Sequence, residues 1–451
     1  MSAQLEIARL QRGRTGWPVF RLKHLARLVG GGTPSKENAA YWEGGDIPWV
    51  SPKDMKRRLI TKTEDYITAA AVSSSATSFV EAGSPLVVVR SGILKHTLPV
   101  ALADVRLTLN QDMKAFRLRP NLDAAFFAYW IEGQSAELLL EWRQLGATVE
   151  SIDTDRMMNG RIAVPDLPTQ KSIADFLDRE TARLDQLIEK RPQFSELVLE
   201  RRAATISQAV TGVATDDAAW LRKLPDGWKA EKAKFHFRES QRRSETGEEE
   251  LLTVSHITGV TMRSEKDVNM FMAVNHEGYK IAAPGDLIIN TMWAWMGAMG
   301  VSSKLGLISP SYGVYSPTSA ELRHAFVDLM VRSKPFIAEA KRRSKGIHSS
   351  RLRLYPDAFL DMRLPIPPRE TQDALLREIS LKVQREDELL QKNERAESLL
   401  REFRSALITA AVTGQIDVTT WGRRGETDRG LERIEEEMSA PPGQEEVTAA
   451  S

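Results

Sequence analysis

The stretch Arg161-Ile162-Ala163-Val164-Pro165-Asp166-Leu167-Pro168-Thr169-Gln170 returns later in the chain as Arg363-Leu364-Pro365-Ile366-Pro367-Pro368-Arg369-Glu370-Thr371-Gln372. The likeness runs on without a gap to Ala209-Val210-Thr211-Gly212 and Ala411-Val412-Thr413-Gly414. Between these ends Arg183 matches Arg385, Asp185 matches Asp387, Leu187 matches Leu389, Lys190 matches Lys392 and Arg202 matches Arg404, always 202 residues apart. Self-similarity at a fixed offset decides architecture before any local pattern does. This offset is too long for a solenoid, so the chain reads as two half-proteins in tandem.

Each copy enters through proline-rich chain and a threonine, Thr169 or Thr371, suited to a helix N-cap. A long helix is predicted in both. In the second copy Leu376, Val383 and Leu390 fall on one heptad track and Ile379, Leu400 and Leu407 on another, with the polar Asn393 between them. In the first, Leu177, Leu184 and Val198 form one track, with Ile173, Leu187 and Ile188 beside it. Such spacing is a seam for another helix, and the two copies are expected to pack together. Gly212 and Gly414 stand where a C-terminal cap glycine belongs. Pro192 removes a hydrogen bond inside the first copy and is expected to kink or split that helix. Phe176, Leu389 and Phe403 are left over beyond one seam, which points to helices contacted on more than one side.

A chain of 451 residues exceeds one core and calls for two or three domains. Apolar residues at 42% and charged residues at 27% place it among ordinary globular proteins. Cysteine is absent, which excludes disulfides, thiolate metal sites and a cysteine nucleophile and fits a reducing cytoplasm. Met1 to Arg14 is charged, with a short helix expected around Leu5 to Leu10, and lacks a signal-peptide core. The longest apolar run, Leu287 to Val301, is interrupted and too short to cross a bilayer. Net charge is only +1. Residues 1–160 and 226–360 are nonetheless each mildly basic, while the tail after Val418 is acidic.

The first module opens near Trp17 with a loop-rich segment in which Gly30-Gly31-Gly32-Thr33 precedes Tyr41-Trp42 and Trp49. The glycines match neither phosphate-loop pattern, which excludes nucleotide binding as a reading. Leu86 to Arg90 reads as a buried strand, Leu107 to Leu118 as a second, and Asp123 to Leu145 as a helix. After Gly212 a polar linker leads to the second module. There Gly285-Asp286-Leu287-Ile288-Ile289 parallels Gly83-Ser84-Pro85-Leu86-Val87, and Ala325 to Lys345 parallels the earlier helix. The helical copies agree closely and the modules only in outline, as expected of one scaffold presenting two recognition surfaces.

No catalytic constellation is present. The seven histidines show no zinc-binding spacing, no nucleophile elbow occurs, and neither a metal-nuclease nor an adenine-methyltransferase motif is found. Any catalysis is expected to belong to a partner. Lys341-Arg342-Arg343-Ser344-Lys345, with Arg351 and Arg353, is a basic cluster suited to phosphates, though the same residues would equally complement a helix dipole. Asn290-Thr291-Met292-Trp293 follows a strand, where it would reach base edges or belong to the core. Lys36, Lys53, Lys56, Arg57, Arg58, Arg90, Lys95 and Lys114 are basic candidates in the first module, and Lys304 in the second.

These residues together resemble the specificity subunit of type I restriction-modification systems. The resemblance rests on the paired Pro-rich Thr-Gln entries, the two Ala-Val-Thr-Gly ends, Gly32-Thr33-Pro34-Ser35, Gly45-Asp46-Ile47-Pro48-Trp49-Val50-Ser51 and Ile308-Ser309-Pro310-Ser311-Tyr312. It implies an α+β fold with two mixed α/β target recognition domains, residues 1–160 and 225–362. Helical spacers 161–212 and 363–418 would pair as an antiparallel coiled coil, with a linker at 213–224 and a polar, disordered tail at 419–451.

It further implies a non-catalytic cytoplasmic subunit of a bacterium or archaeon that reads a bipartite target in double-stranded DNA. Partners would be two adenine-N6 methyltransferase subunits and restriction and translocase subunits. S-adenosylmethionine, ATP and Mg2+ would bind those partners and no cofactor this chain. The competing readings are a stand-alone DNA-binding protein and a coiled-coil adaptor. DNA contact is expected at Lys36, Lys53, Arg90, Lys95, Lys114, Asn290, Trp293, Lys304, Lys341, Arg342, Lys345 and Arg351. Packing between helices or onto partners is expected at Leu177, Leu184, Leu187, Val198, Leu376, Val383, Leu390, Leu400 and Leu407. A helix from Gln170 to Val210 is about 60 Å long, which limits the unread gap to about 18 base pairs.

Overall fold

The computed structural model describes residues 16–144, 149–212, 224–265, 276–346, 352–421 and 425–439. The helix expected at Leu5 to Leu10 lies outside them. The chain divides into two compact units, Met1–Pro192 with Lys392–Ser451, and Gln193–Gln391. Each unit holds one module, the half of a long helix adjoining it, and half of the other long helix.

In the first unit the opening strand Val19–Arg21 pairs antiparallel with Arg161–Ala163, the strand that leads into the first long helix. A five-stranded sheet follows, in which Met113–Leu118 lies between Ala26–Gly30 and Pro85–Val88, and Val100–Ala103 and Leu59–Ile60 complete it. A second, four-stranded sheet contains Ile47–Val50 and Leu107–Leu109. The expected strand Leu107 to Leu118 is therefore two strands in different sheets. Asn110 makes the break, its Oδ1 accepting the Asp112 N–H at 3.0 Å. Pro85–Val88 is buried along its whole length, the environment its β-branched run called for.

The second unit repeats this plan. Lys229–Lys232 pairs with Arg363–Ile366 ahead of the second long helix, and strands Phe237–Glu239, Gly313–Pro317, Leu287–Ile289 and Met299–Val301 lie in the equivalent order. The module helices are each split rather than continuous. Ala124–Gly133 is followed by Ser135–Trp142, and His324–Val331 by Lys334–Arg343. At Gly133 the backbone comes so close to the second long helix that a Cβ would lie 3.0 Å from Ile408 and 3.1 Å from Thr409 N. In the second module Pro335 starts a new helix within its first turn.

The long helices are Leu167–Thr211 and Arg369–Val412. Their N-termini are joined to the modules by one repeated device. Gln170, wholly buried, donates from Nε2 to the carbonyls of Pro165 (2.8 Å) and Asn121 (3.1 Å) and accepts the Asp123 N–H at 2.8 Å. Gln372 does the same with Pro367 (2.9 Å), Glu321 (3.0 Å) and the Arg323 N–H (2.8 Å). A buried primary amide thus closes the helix entry onto the start of the module helix. The first N-cap is Asp166, which accepts the Thr169 N–H at 2.8 Å, and not the threonine itself. The Thr169 hydroxyl, and after it that backbone bond, hold the Asp166 carboxyl below its ordinary range. Gly212 and Gly414 adopt φ of +75° and +67°, the left-handed cap their positions suggested.

Pro192 does not split the first long helix, which runs through it to Thr211. The residue is exposed, so water can solvate the carbonyl left without its N–H donor, and tertiary bonds hold the neighbouring turn. Arg191 Nη1 donates to Asn393 Oδ1 at 3.3 Å, and Asn393 Nδ2 donates to the Arg191 carbonyl at 2.8 Å. Asn393 is buried, and a buried amide on a helix seam fixes register. In the same unit Arg404 meets Asp185 at 2.7 Å, so the partner numbers fall as the first helix rises and the pairing is antiparallel. The second unit carries the matching pair, Arg202 with Asp387 at 2.7 Å, with Glu386 added at 2.9 Å.

Of the packing candidates, Leu177, Leu184, Leu400 and Leu407 are buried, and Leu187, Val198, Leu376, Val383 and Leu390 are half-buried. Phe176 and Phe403, set aside in the sequence as surfaces for a partner, are buried by this chain. Part of that cover comes from the stretch expected to be disordered. Residues Glu426–Ser439 form a helix whose Leu431 and Ile434 enter the first unit's core, whose Gly430 lies against the Phe403 ring, and whose Asp428 pairs with Arg183 at 2.5 Å. An amphipathic spacing within a polar stretch is enough to bury one face.

Replacing Gln372 by leucine leaves the Arg323 N–H and two carbonyls without their partners. The expected loss is about 3 kcal/mol, read as a lower midpoint in chemical denaturation of the full chain. An unchanged midpoint would show that the amide is not what fastens module to helix.

Candidate nucleic-acid interface

The glycine-rich segment of the first module is a close-packing element. A Cβ at Gly31 would lie 2.0 Å from the Asn110 carbonyl oxygen, and the Gly32 carbonyl accepts from Trp49 Nε1 (3.0 Å) and Thr77 Oγ1 (2.6 Å). Trp42 packs edge-on against Trp49 at 5.2 Å. The backbone beyond then borders an open cleft of about 390 Å3, where Thr33, Lys36, Ser51, Lys53 and Gln111 meet. Lys36 is exposed at its edge. Lys53 is held by Asp65 (2.9 Å) and Glu64 (3.0 Å), and those two bonds raise its pKa.

A second feature is common to both modules. In the first, the Ile152 N–H donates to the Val89 carbonyl at 2.8 Å, which fixes the loop that follows the buried strand Pro85–Val88. In the second, the Leu354 N–H donates to the Thr291 carbonyl at 2.9 Å, which fixes the loop after Leu287–Ile289. Donors and acceptors are each 202 residues apart. The side chains placed there differ. The first loop carries Arg90, Ile93 and Lys95, with Ile93 and Lys95 exposed and Arg90 bonded to Asp112 at 2.6 Å. The second carries Met292 and Trp293, the latter 49% exposed, beside a segment where Lys345 and Arg353 exchange backbone bonds of 3.0 and 2.9 Å.

Several candidates have structural duties instead. Asn290 is buried, donating to the Tyr312 hydroxyl at 2.8 Å and accepting the Met292 N–H at 3.3 Å, and is not placed to read a base. Arg342 and Arg343 both bind Glu339, Arg342 with two bonds of 2.7 Å. Burial disfavours the Glu339 charge, but Arg342 and Arg343 more than offset it and keep the carboxyl below its ordinary range. Their contribution to stability is therefore present above the ordinary glutamate range and is lost as pH falls through the depressed folded value. Arg58 lies over the Tyr129 ring at 3.2 Å and bonds the Ala125 carbonyl at 3.2 Å.

Lys95, Lys304, Lys341 and Lys345 are exposed, Lys114 is half-buried in its strand beside Gly30, and Arg351 lies outside the described residues. Sequence reading missed Ile93 and the two backbone bonds that aim the loops, since main-chain contacts leave no mark on side-chain identity.

Among the described residues Glu231, His236 and Glu321 place ligand-type atoms within 4.8 Å of one another. Glu231 meets His236 Nε2 at 3.1 Å, whereas Ser319 (3.3 Å) and Glu321 (3.8 Å) face Nδ1. One metal ion cannot take both ring nitrogens, so the group is a buried, hydrogen-bonded histidine. No helix among the described residues is long and apolar enough to cross a membrane.

Comparison with known proteins agrees with this layout. The family model for the type I restriction modification DNA specificity domain matches residues 14–194. The chain is 38% identical over 192 residues to the EcoR124I/EcoR124II specificity subunit of Escherichia coli, covering 43% of this chain and 47% of that one. It is 28% identical over 185 residues to the MjaIX specificity subunit of Methanocaldococcus jannaschii, covering 40% and 41%. The matches thus span less than half the length of these curated relatives. A solved structure described as "Structural basis underlying complex assembly and conformational transition of the type I R-M system" aligns over 90% of this chain and 100% of its own, with a TM-score of 0.59 at 15% identity, a likeness of fold.

Substituting Lys341 and Lys345 together by alanine is expected to weaken DNA binding evenly across sequences and to lower the salt slope by about two. Arg342→Ala is expected to act on stability instead. Titrations of duplex DNA at several salt concentrations check this, and an unchanged slope in the lysine variant would remove these residues from the interface.

Proposed function

We propose that this chain, similar to type I specificity subunits and carrying their DNA specificity domain at residues 14–194, recognises DNA for a restriction-modification complex. The observation that carries the reading is the pair of equivalent loops, held by the same backbone bond in each module and furnished with different side chains. A rigid loop after a buried strand presents its tip to a groove without the entropy cost of ordering it. Arg90 and Lys95 suit phosphate oxygens or guanine edges. Trp293 and Met292 suit apolar contact with thymine methyls or an unstacked base. Differing loops would read differing half-sites, and the paired helices would set the unread gap between them.

The remainder of the reading follows from the resemblance. Two adenine-N6 methyltransferase subunits would dock on the helices, binding S-adenosylmethionine and flipping the target adenine out of the duplex. Restriction and translocase subunits would supply ATP- and Mg2+-dependent steps. This chain would be non-catalytic, bind none of these cofactors and act in the cytoplasm. A stand-alone DNA-binding protein or an adaptor without a methyltransferase is not favoured, because the matching relatives are specificity subunits.

Mapping methylated adenines in a host that carries the chain and its cognate methyltransferase, against the same host lacking the chain, tests the proposal. A split motif with a fixed gap, lost on deletion, is expected. Methylation unchanged by deletion would overturn it.

A further inference from the structure

The glycines at the start of the first module close the chain onto the turn Asn110–Asp112, and this fixes where one side-chain amide points. The Gly32 N–H donates to the Leu109 carbonyl at 2.9 Å, and a Cβ at Gly31 would collide with the Asn110 carbonyl, so only glycine lets the two segments lie this close. The next residue, Thr33, is thereby set against Gln111, and its hydroxyl donates to Gln111 Oε1. On the other side Gln111 Nε2 donates to Asp112 Oδ2 at 3.4 Å. A carboxylate only accepts, so the NH2 end of the amide must face Asp112 and its oxygen Thr33. Asp112 is itself held. Its Oδ1 accepts from Arg90 Nε at 2.6 Å, its carbonyl takes the Val89 N–H at 2.8 Å, and its N–H donates to Asn110 Oδ1 at 3.0 Å. The Gln111 side chain is exposed and yet has one orientation.

Bracing an exposed side chain costs rotamer entropy and adds nothing to a core. It spares that entropy when a ligand arrives. An amide oxygen has two lone pairs and its nitrogen two hydrogens. Thr33 and Asp112 use one of each, which leaves an adjacent acceptor and donor for the open cleft that Gln111 lines. In the major groove that pattern fits adenine, whose N6 amine donates beside an N7 acceptor. Guanine presents two acceptors, O6 and N7, while thymine offers only the O4 acceptor and cytosine only the N4 donor. The surroundings suit a base held by its backbone. Lys53 is neutralised by Asp65 and Glu64, but the adjoining cleft that it also lines carries Lys56, Arg57 and Lys62. All three are exposed, and Arg57 and Lys62 have no ion pair among the described residues, as phosphate contacts require.

We infer that Gln111 determines specificity for one adenine in the half-site of the first module, with Thr33 as the residue that positions its amide. The inference rests on the DNA reading proposed above and names the side chain and the base. It also sets the two modules apart. The equivalent turn of the second module, between strands Gly306–Ile308 and Gly313–Pro317, carries Ser309, Pro310, Ser311 and Tyr312 and no amide side chain. The one amide beside it, Asn290, is buried and spent on the Tyr312 hydroxyl at 2.8 Å. The second half-site is therefore read by other chemistry, and the Gln111 adenine belongs to one half-site alone.

The test uses the full-length chain with its cognate methyltransferase, and maps methylated adenines for the wild type, Gln111→Ala and Thr33→Val. Gln111→Ala is expected to accept any base at one adenine position of one half-site, with the other positions, the other half-site and the gap unchanged. Thr33→Val frees the amide to turn and is expected to relax the same position and no other, which a general loss of folding would not do. A second measurement needs no variant. The wild-type complex is titrated with duplexes in which each adenine of the half-sites is replaced in turn by 7-deazaadenine, which keeps the N6 amine and the base pair but lacks the N7 acceptor. Binding is expected to weaken by about tenfold at one position, and Gln111→Ala to be indifferent to the replacement there. A split motif read unchanged by Gln111→Ala, or a wild type indifferent to every replacement, overturns the role of Gln111 and leaves the DNA reading standing. A wild-type chain on which no split motif depends overturns the DNA reading, and this inference with it.

Discussion

A buried glutamine amide with all of its partners in place is the constraint on which the rest of the molecule depends. Gln170 and Gln372 each tie three chain segments, the proline-rich entry, the loop before the module helix and the helix N-terminus, through three bonds in a site closed to water. Inside protein an amide left half-satisfied costs more than the bond itself supplies. The junction therefore has one geometry available to it, and each module is carried on its helix as a rigid piece. The proposed recognition would depend on that junction, because an angular error there is magnified at the loop tip.

The second constraint is charge pairing along the helices. Arg404 with Asp185 and Arg202 with Asp387 are the same bond made once in each unit, and the buried Asn393 adds a single polar contact that tolerates one register. Half-exposed ion pairs add little net stability. Their value here is in register: a slipped pairing would break both ion pairs and strand the asparagine.

Much of this architecture was legible in the sequence, and for a physical reason. The repeat is encoded in residues with fixed structural duties, such as the Gln170 amide, the Arg202 ion pairs and the left-handed Gly212 cap, so the fold class and both long helices could be read from it. What could not be read depended on context. Pro192 lies on an exposed turn where a lost hydrogen bond is tolerated, and the polar tail hides the short apolar face of Leu431 and Ile434. The candidate interface was the least legible part. Asn290, Arg342 and Arg58 have the composition of DNA-contacting residues, but buried or paired partners claim them. The loops that stand free are placed by main-chain bonds at Val89 and Thr291, to which side-chain identity is indifferent.

The central proposal is that each module would read its own half-site and that the helices would set the unread gap. It is tested most directly by inserting one heptad into both long helices and mapping methylated adenines in cells that carry the lengthened chain with its methyltransferase. The account expects a longer unread gap between the same two half-sites. Different bases read across an unchanged gap would contradict it.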